Sequence, residues 1–101
     1  MSDQKWMSML GLAARARMLV SGEELVIKDV RAKKVKLVLL SSDASESTRK
    51  KVVNKCEHYH VPLRTVSTRD FLGHAIGKGE RVVIGVIDPG FAKKLITLLD
   101  Q

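Results

Sequence analysis

Two apolar runs constrain the fold more than any other feature of this chain: "KLVLLSS" at 36–42 and "RVVIGVI" at 81–87. Neither alternates apolar with polar residues, as a strand does when one of its faces meets water. A strand covered by helices on both sides carries such a continuous run. Both runs are far shorter than the roughly 20 apolar residues a bilayer-spanning helix needs.

The segments between them follow helical spacing. Trp6, Met9, Leu10 and Ala13 fall at i, i+3, i+4 and i+7, which predicts a helix from about Asp3 to about Arg15. "MLV" then reads as a short strand leading to Gly22, and Glu23 to about Lys34 as a second helix. Asp43 to about Glu57 reads as a third, with Ala44, Val52, Val53 and Cys56 on one face among Arg49, Lys50, Lys51 and Lys55. "VPLRTV" is a strand. In "STRDFLGHA", Ser67 or Thr68 is placed to cap a short helix whose first turn holds Asp70. After the last strand, Asp88 is placed to cap and Pro89 suits the first helical position, opening "FAKKLITLL". Such alternation predicts an α/β fold, a three-layer α-β-α sandwich on a mostly parallel or mixed four-stranded sheet. At 101 residues, a single domain with one core is expected.

Charge narrows the partner. The net charge is +7, and residues 1–55 hold 12 basic against 6 acidic side chains, net +6. A basic surface attracts polyanions, so nucleic acid is the leading partner class and an anionic membrane the second. Cys56 is the one cysteine, so no intramolecular disulfide forms, which fits a reducing compartment. "WMSMLGLAA" lacks the net-positive leader of a signal peptide and ends in Arg15 and Arg17, so the cytoplasm is the expected location.

Three tempting motifs fail on chemistry. "GHAIGKGE" has the wrong spacing for a phosphate-binding loop, no Ser or Thr after Lys78, and leads from helix to strand. In "CEHYH", Cys56, His58 and His60 lack the fourth ligand that a structural zinc site needs, so Cys56 is expected in the core and the histidines on the surface. "RKKVVNK" is read as the solvated face of its helix. No nucleophile, base or metal constellation stands out. The expectation is therefore a non-enzyme with no metal; a monomer is expected.

The most informative stretch is "SGEELVIK" at 21–28. At 100° per residue, Val26, Ile27 and Val30 share one apolar arc that must face the sheet. Leu25, Lys28 and Ala32 point outward, with Glu24 at the edge of that face. Adjacent glutamates diverge by about 100° and cannot converge on one bond, which argues against a catalytic pair. Two roles remain for them. Acids in a first turn complement the helix dipole by about 0.3–1 kcal/mol each. An exposed carboxylate also accepts hydrogen bonds from base N–H groups, while a lysine such as Lys28 serves guanine O6 and N7. Glu23 is expected to support the helix terminus and Glu24 to accept from an exposed guanine edge.

Taken together, "SGEELVIKDVRAKKVKLVLLSSDAS", the Cys56 segment, "VPLRTV" and "FLGHAIGKGERVVIGVIDPGFAKKLI" resemble the ribosomal-protein family of kink-turn RNA binders over nearly the whole chain, most closely its small bacterial branch and the eukaryotic and archaeal L-thirty-e proteins. The resemblance implies a three-layer α-β-α sandwich without a cofactor, which clamps RNA where a three-nucleotide bulge meets tandem sheared G·A pairs. The archaeal members open their recognition helix with Gly-x-Asn-Glu-x-x-Lys. Here Gly22 and Lys28 match, with Glu23 between, and Glu24 and Leu25 stand at the Asn and Glu positions. The family's second RNA-touching loop corresponds to Ala75, Ile76, Gly77, Lys78 and Gly79, followed by Glu80. Its glycines allow close backbone approach, and Ile76 is placed to wedge against an unpaired base. The resemblance thus implies a protein that stabilises kink-turn RNA, ribosomal RNA included. The competing reading is a protein-interaction adaptor on a ribonucleoprotein, which would use Leu25 and the "GHAIGKGE" loop and bind polyanions only through generic charge.

Overall fold

The computed structural model describes residues 2–101. Its elements, in chain order, are α1 (Ser2–Arg15), β1 (Leu19–Ser21), α2 (Glu23–Arg31), β2 (Leu37–Ser41), α3 (Glu46–His58), β3 (Leu63–Val66), α4 (Arg69–Ala75), β4 (Val83–Val86) and α5 (Pro89–Leu99). The strands form one mixed sheet in the order β1-β4-β2-β3. β4 runs antiparallel to both β1 and β2, and β2 runs parallel to β3. It follows that β1, β2 and β3 share one direction and β4 opposes them.

Every residue of β2 is buried, which explains its unalternated run. Its side chains serve two separate cores by simple period-2 alternation. Leu37 and Leu39 join Trp6, Leu10, Leu72, Ile84 and Leu95 on the α1/α4/α5 side. Val38 and Leu40 join Val26, Ile27, Val30, Val52 and Cys56 on the α2/α3 side. The three layers anticipated from the alternating pattern are therefore present. Gly85 of β4 lets Val20 and Val35 pack closely over it, since a Cβ there would come within 3.0 Å of Val20 and 3.1 Å of Val35 and both valines would have to shift.

Several boundaries differ from expectation, each for a local reason. α2 stops at Arg31 and not near Lys34, because Lys33 adopts the left-handed conformation (φ 61°) and the N–H groups of Lys33 and Lys34 turn back to the carbonyls of Val30 and Asp29. That paired closure ends a helix by satisfying its last carbonyls. α3 begins at Glu46 and not at Asp43, because Ser45 caps it, its Oγ accepting from Thr48 N at 3.2 Å. Thr68 does sit at the cap position of α4, yet its side chain makes no capping bond. Asp43 does that work from a distant loop, its Oδ1 accepting from Arg69 N at 3.1 Å. The α5 cap agrees with expectation: Asp88 Oδ2 accepts from Phe91 N at 2.8 Å, with Pro89 in the first turn.

Cys56 is buried, and burial pushes its thiol up to about 11, so it stays protonated and packs as a small apolar group. His58 and His60 are exposed. No described helix is long and apolar enough to cross a membrane.

The Asp88 cap is testable in isolation. Asp88→Ala should cost about 1 kcal/mol and lower the melting temperature by about 4–8 °C. Thermal unfolding followed by circular dichroism measures this, and the far-ultraviolet spectrum below the transition should not change.

Candidate nucleic-acid interface

Strand direction gathers the site. Because β1, β2 and β3 point the same way, the helices that follow them, α2, α3 and α4, all start at one edge of the sheet. β4 opposes them, so the loop from α4 into β4, residues 76–82, reaches the same edge. Three helix N-termini and that loop therefore converge. Each N-terminus carries unpaired N–H groups and the positive end of a dipole.

The three termini are not equivalent. Ser45 caps α3 and Asp43 caps α4. α2 has Gly22 at its cap position and no side-chain cap. Gly22 holds φ 97° and ψ 144°, a region open only to glycine, although space around it is free. The Glu23 carboxylate, on the first residue of α2, is directed elsewhere. Its Oε1 accepts from Thr48 Oγ1 at 2.8 Å and its Oε2 meets Lys51 Nζ at 2.8 Å, both on α3. Lys51 and Thr48 hold the Glu23 carboxyl below its ordinary value of 4.5, and Glu23 in turn raises Lys51. Glu23 thus joins α2 to α3, a different task from simply opposing the dipole of its own helix, and the α2 N-terminus stays open.

The outward face of α2 is as projected. Val26, Ile27 and Val30 are buried, whereas Glu24, Leu25, Lys28 and Ala32 are exposed, Leu25 by 46%. Glu23, Glu24, Lys28 and Arg31 line a shallow depression of about 510 Å³.

The second predicted segment is shaped by a close backbone contact. Gly73 in α4 lies against Gly79, and a Cβ on Gly73 would come within 1.9 Å of the Gly79 carbonyl oxygen. α4 closes as α2 does, with Gly77 left-handed (φ 73°), Gly77 N donating to His74 O and Lys78 N to Gly73 O. Gly77, Lys78 and Gly79 are exposed, while Ala75 and Ile76 are half-buried against the core. Ala75, Ile76, Gly77 and Lys78 line an open groove of about 490 Å³ with Arg15 and all of β1. A third depression of about 340 Å³ lies between the two segments and includes Gly22, Glu23, Arg69, Glu80 and Arg81. Eight of the ten predicted residues therefore line three separate hollows and do not share a single pocket, while Leu25 and Gly79 are exposed outside them.

Three residues that the sequence did not single out hold this edge together. Arg81 Nη1 donates to the carbonyls of Gly79 (3.2 Å) and Glu80 (2.8 Å), and its Nε donates to Ser21 Oγ at 3.3 Å. Arg81 N also donates to Arg69 O at 3.1 Å. Arg69 Nη2 donates to Asp43 O at 2.6 Å, and its Nε lies 3.3 Å from Asp43 Oδ2. The loop is thereby tied to β1 and to the head of α4. An arginine just before a strand and another just after a helix cap were the available signals. Among the described residues, no three His, Cys, Asp or Glu side chains gather to hold a metal ion.

Two outcomes follow from this geometry. Gly73→Ala should cost about 1–3 kcal/mol by overpacking and raise amide hydrogen exchange across residues 76–82. For Glu23, a lowered folded pKa means that its contribution to stability is present above the ordinary carboxylate range and disappears as pH falls through the folded value. Urea unfolding should therefore find Glu23→Gln weaker than the parent at neutral pH, with the difference gone at a pH below both values.

Comparison with known proteins agrees with this architecture. Residues 4–96 match the model of the ribosomal protein L7Ae/L30e/S12e/Gadd45 family. The chain is 57% identical over 100 residues to RNA-binding protein YlxQ of Bacillus subtilis (strain 168), covering 99% of this chain and 100% of that one. It is 45% identical over 97 residues to RNA-binding protein YlxQ of Enterococcus faecium, covering 96% and 93%. A solved structure of a protein with unknown function from Bacillus halodurans superposes with a TM-score of 0.94 at 57% identity, over 96% of this chain and 98% of that one. The Giardia lamblia 15.5kD RNA binding protein shares the fold, with a TM-score of 0.81 at 19% identity over 96% and 89% of the two chains. With the family model spanning nearly its whole length and relatives this similar, the chain belongs to the ribosomal protein L7Ae/L30e/S12e/Gadd45 family.

Proposed function

We propose that the chain is a non-enzymatic, cytoplasmic RNA-binding protein that acts as a single domain, recognises kink-turn RNA and associates with ribosomal RNA. One observation carries the reading. The α2 N-terminus is uncapped, its own glutamate is drawn away to α3, and it is flanked by exposed Glu24, Leu25 and Lys28. Such a terminus offers backbone N–H groups to a phosphate or base acceptor. The names of the relatives and the family match support RNA as the partner.

In this reading Glu24 accepts from the N–H groups of an unpaired or sheared guanine, and Lys28 donates to O6 and N7 of a guanine edge. Gly22 and Glu23 set the height and direction of the terminus, and Leu25 packs on a splayed base. Across the groove, Ala75 to Gly79 press backbone and the Ile76 side chain against the bulge. Binding stabilises the bent form of the RNA because the protein surface is complementary to that form alone.

Glu24→Gln and Lys28→Ala, titrated by gel shift against a kink-turn RNA and a plain duplex, test the assignment. Each should weaken the kink-turn complex by about 1–3 kcal/mol and leave duplex binding nearly unchanged. Equal losses on both RNAs would remove the base-reading role. A parent protein whose binding to any polyanion is equally strong and equally salt-dependent would point to generic charge.

A further inference from the structure

The edge opposite this surface is also cationic, and its backbone carries strain. α1, α2 and α3 end with the same closure that ends α4. Arg17 N and Met18 N donate to the carbonyls of Ala14 and Ala13, Lys33 N and Lys34 N to those of Val30 and Asp29, and His60 N and Val61 N to those of Glu57 and Cys56. The closure puts one residue in the left-handed region, where glycine sits most easily. α4 uses Gly77. The other three helices use Arg17 (φ 59°), Lys33 (φ 61°) and His60 (φ 58°).

Because β1, β2 and β3 all begin at this edge, the three closures line up along it. Arg17, Lys33, Lys34 and Lys36 are exposed, and the connections 16–18, 32–36 and 59–62 contain no acidic residue. None of the ion pairs among the described residues involves these four cations. Lys36 Nζ donates to Lys33 O at 3.4 Å, which keeps the lysines close. Asp88, in the fourth connection at this edge, is occupied in capping α5. Helix dipoles do not explain the arrangement, because Arg15, Arg31 and Lys55 already serve the last turns from unstrained positions. Strained non-glycine backbone persists where the side chain has a task.

We propose that this edge is a second RNA-binding surface, which takes the phosphate backbone of a duplex separate from the segment held at the α2 edge, so that one molecule bridges two RNA segments. The proposal rests on the RNA reading above. Phosphate is favoured over a bilayer because the exposed large apolar residues, Leu12, Leu25 and Phe71, lie on helices and leave these connections with nothing to insert. It is favoured over a protein because interface cores are depleted in lysine. The edges act independently: five-residue β2 separates them by about 16 Å, beyond the screening length of about 8 Å.

The test captures the full chain on immobilised kink-turn RNA and adds a labelled plain RNA duplex over a salt series. The parent should retain the duplex. Lys34→Glu with Lys36→Glu should lose that retention roughly tenfold, and Arg17→Gly with Lys33→Gly should flatten its salt slope by about 2. The glycine variant should also melt a few degrees higher, because glycine relieves the left-handed positions. Kink-turn binding should be unchanged in both. Duplex retention that survives in both variants overturns the proposal. So does binding to phosphatidylserine vesicles that these variants abolish while duplex retention persists. Should the parent fail on kink-turn RNA, the earlier reading falls alone, and the duplex arm is run with the protein itself immobilised.

Discussion

The opposition of β4 to three strands of common direction is the constraint from which the rest of this molecule follows. Strand β2, buried on both faces, anchors it, since its alternate side chains nucleate both cores and its two neighbours fix the sense of the sheet. With β1, β2 and β3 aligned, the beginnings of α2, α3 and α4 collect at one edge and the ends of α1, α2 and α3 at the other. The reversed β4 delivers the glycine loop to the first edge, whereas the closures at the second place Arg17, Lys33 and His60 in the left-handed region.

This polarity makes the treatment of each terminus informative. α3, α4 and α5 are capped by Ser45, Asp43 and Asp88, each of which accepts from one N–H group of the first turn. α2 is left open while its first glutamate stabilises the packing of α2 on α3. A helix end that forgoes a cap loses on the order of 1 kcal/mol, and a ligand acceptor recovers it. The loop opposite reaches its shape through the Gly73 to Gly79 contact and the hydrogen bonds of Arg81 to the Gly79 and Glu80 carbonyls.

Much of this was legible in the residues. The unalternated apolar runs announced a sheet covered on both faces, and the arc of Val26, Ile27 and Val30 identified the buried side of α2, and hence the exposed Glu24, Leu25 and Lys28. Asp88 with Pro89 marked the start of α5 because cap chemistry is local. The end of α2 was misjudged because Lys33 carries no glycine signal, although it adopts the glycine conformation. Thr68 looked like a cap because its neighbours permit one. The bond instead comes from Asp43, 26 residues away, and no local pattern reports that.

Sequence alone determined the element order, the two-sided burial of β2 and the outward face of α2, since each depends on spacings of a few residues. It also determined the surplus of positive charge in the first half of the chain. The tertiary structure decided the strand order and the direction of β4, and with them that Gly22 and the Gly77 to Gly79 loop share an edge while Arg17, Lys33 and Lys36 share the other. It also decided that Glu23 belongs to Thr48 and Lys51. Those facts rest on contacts between segments far apart in the chain, and such contacts are set by how the layers pack, which periodicity does not encode.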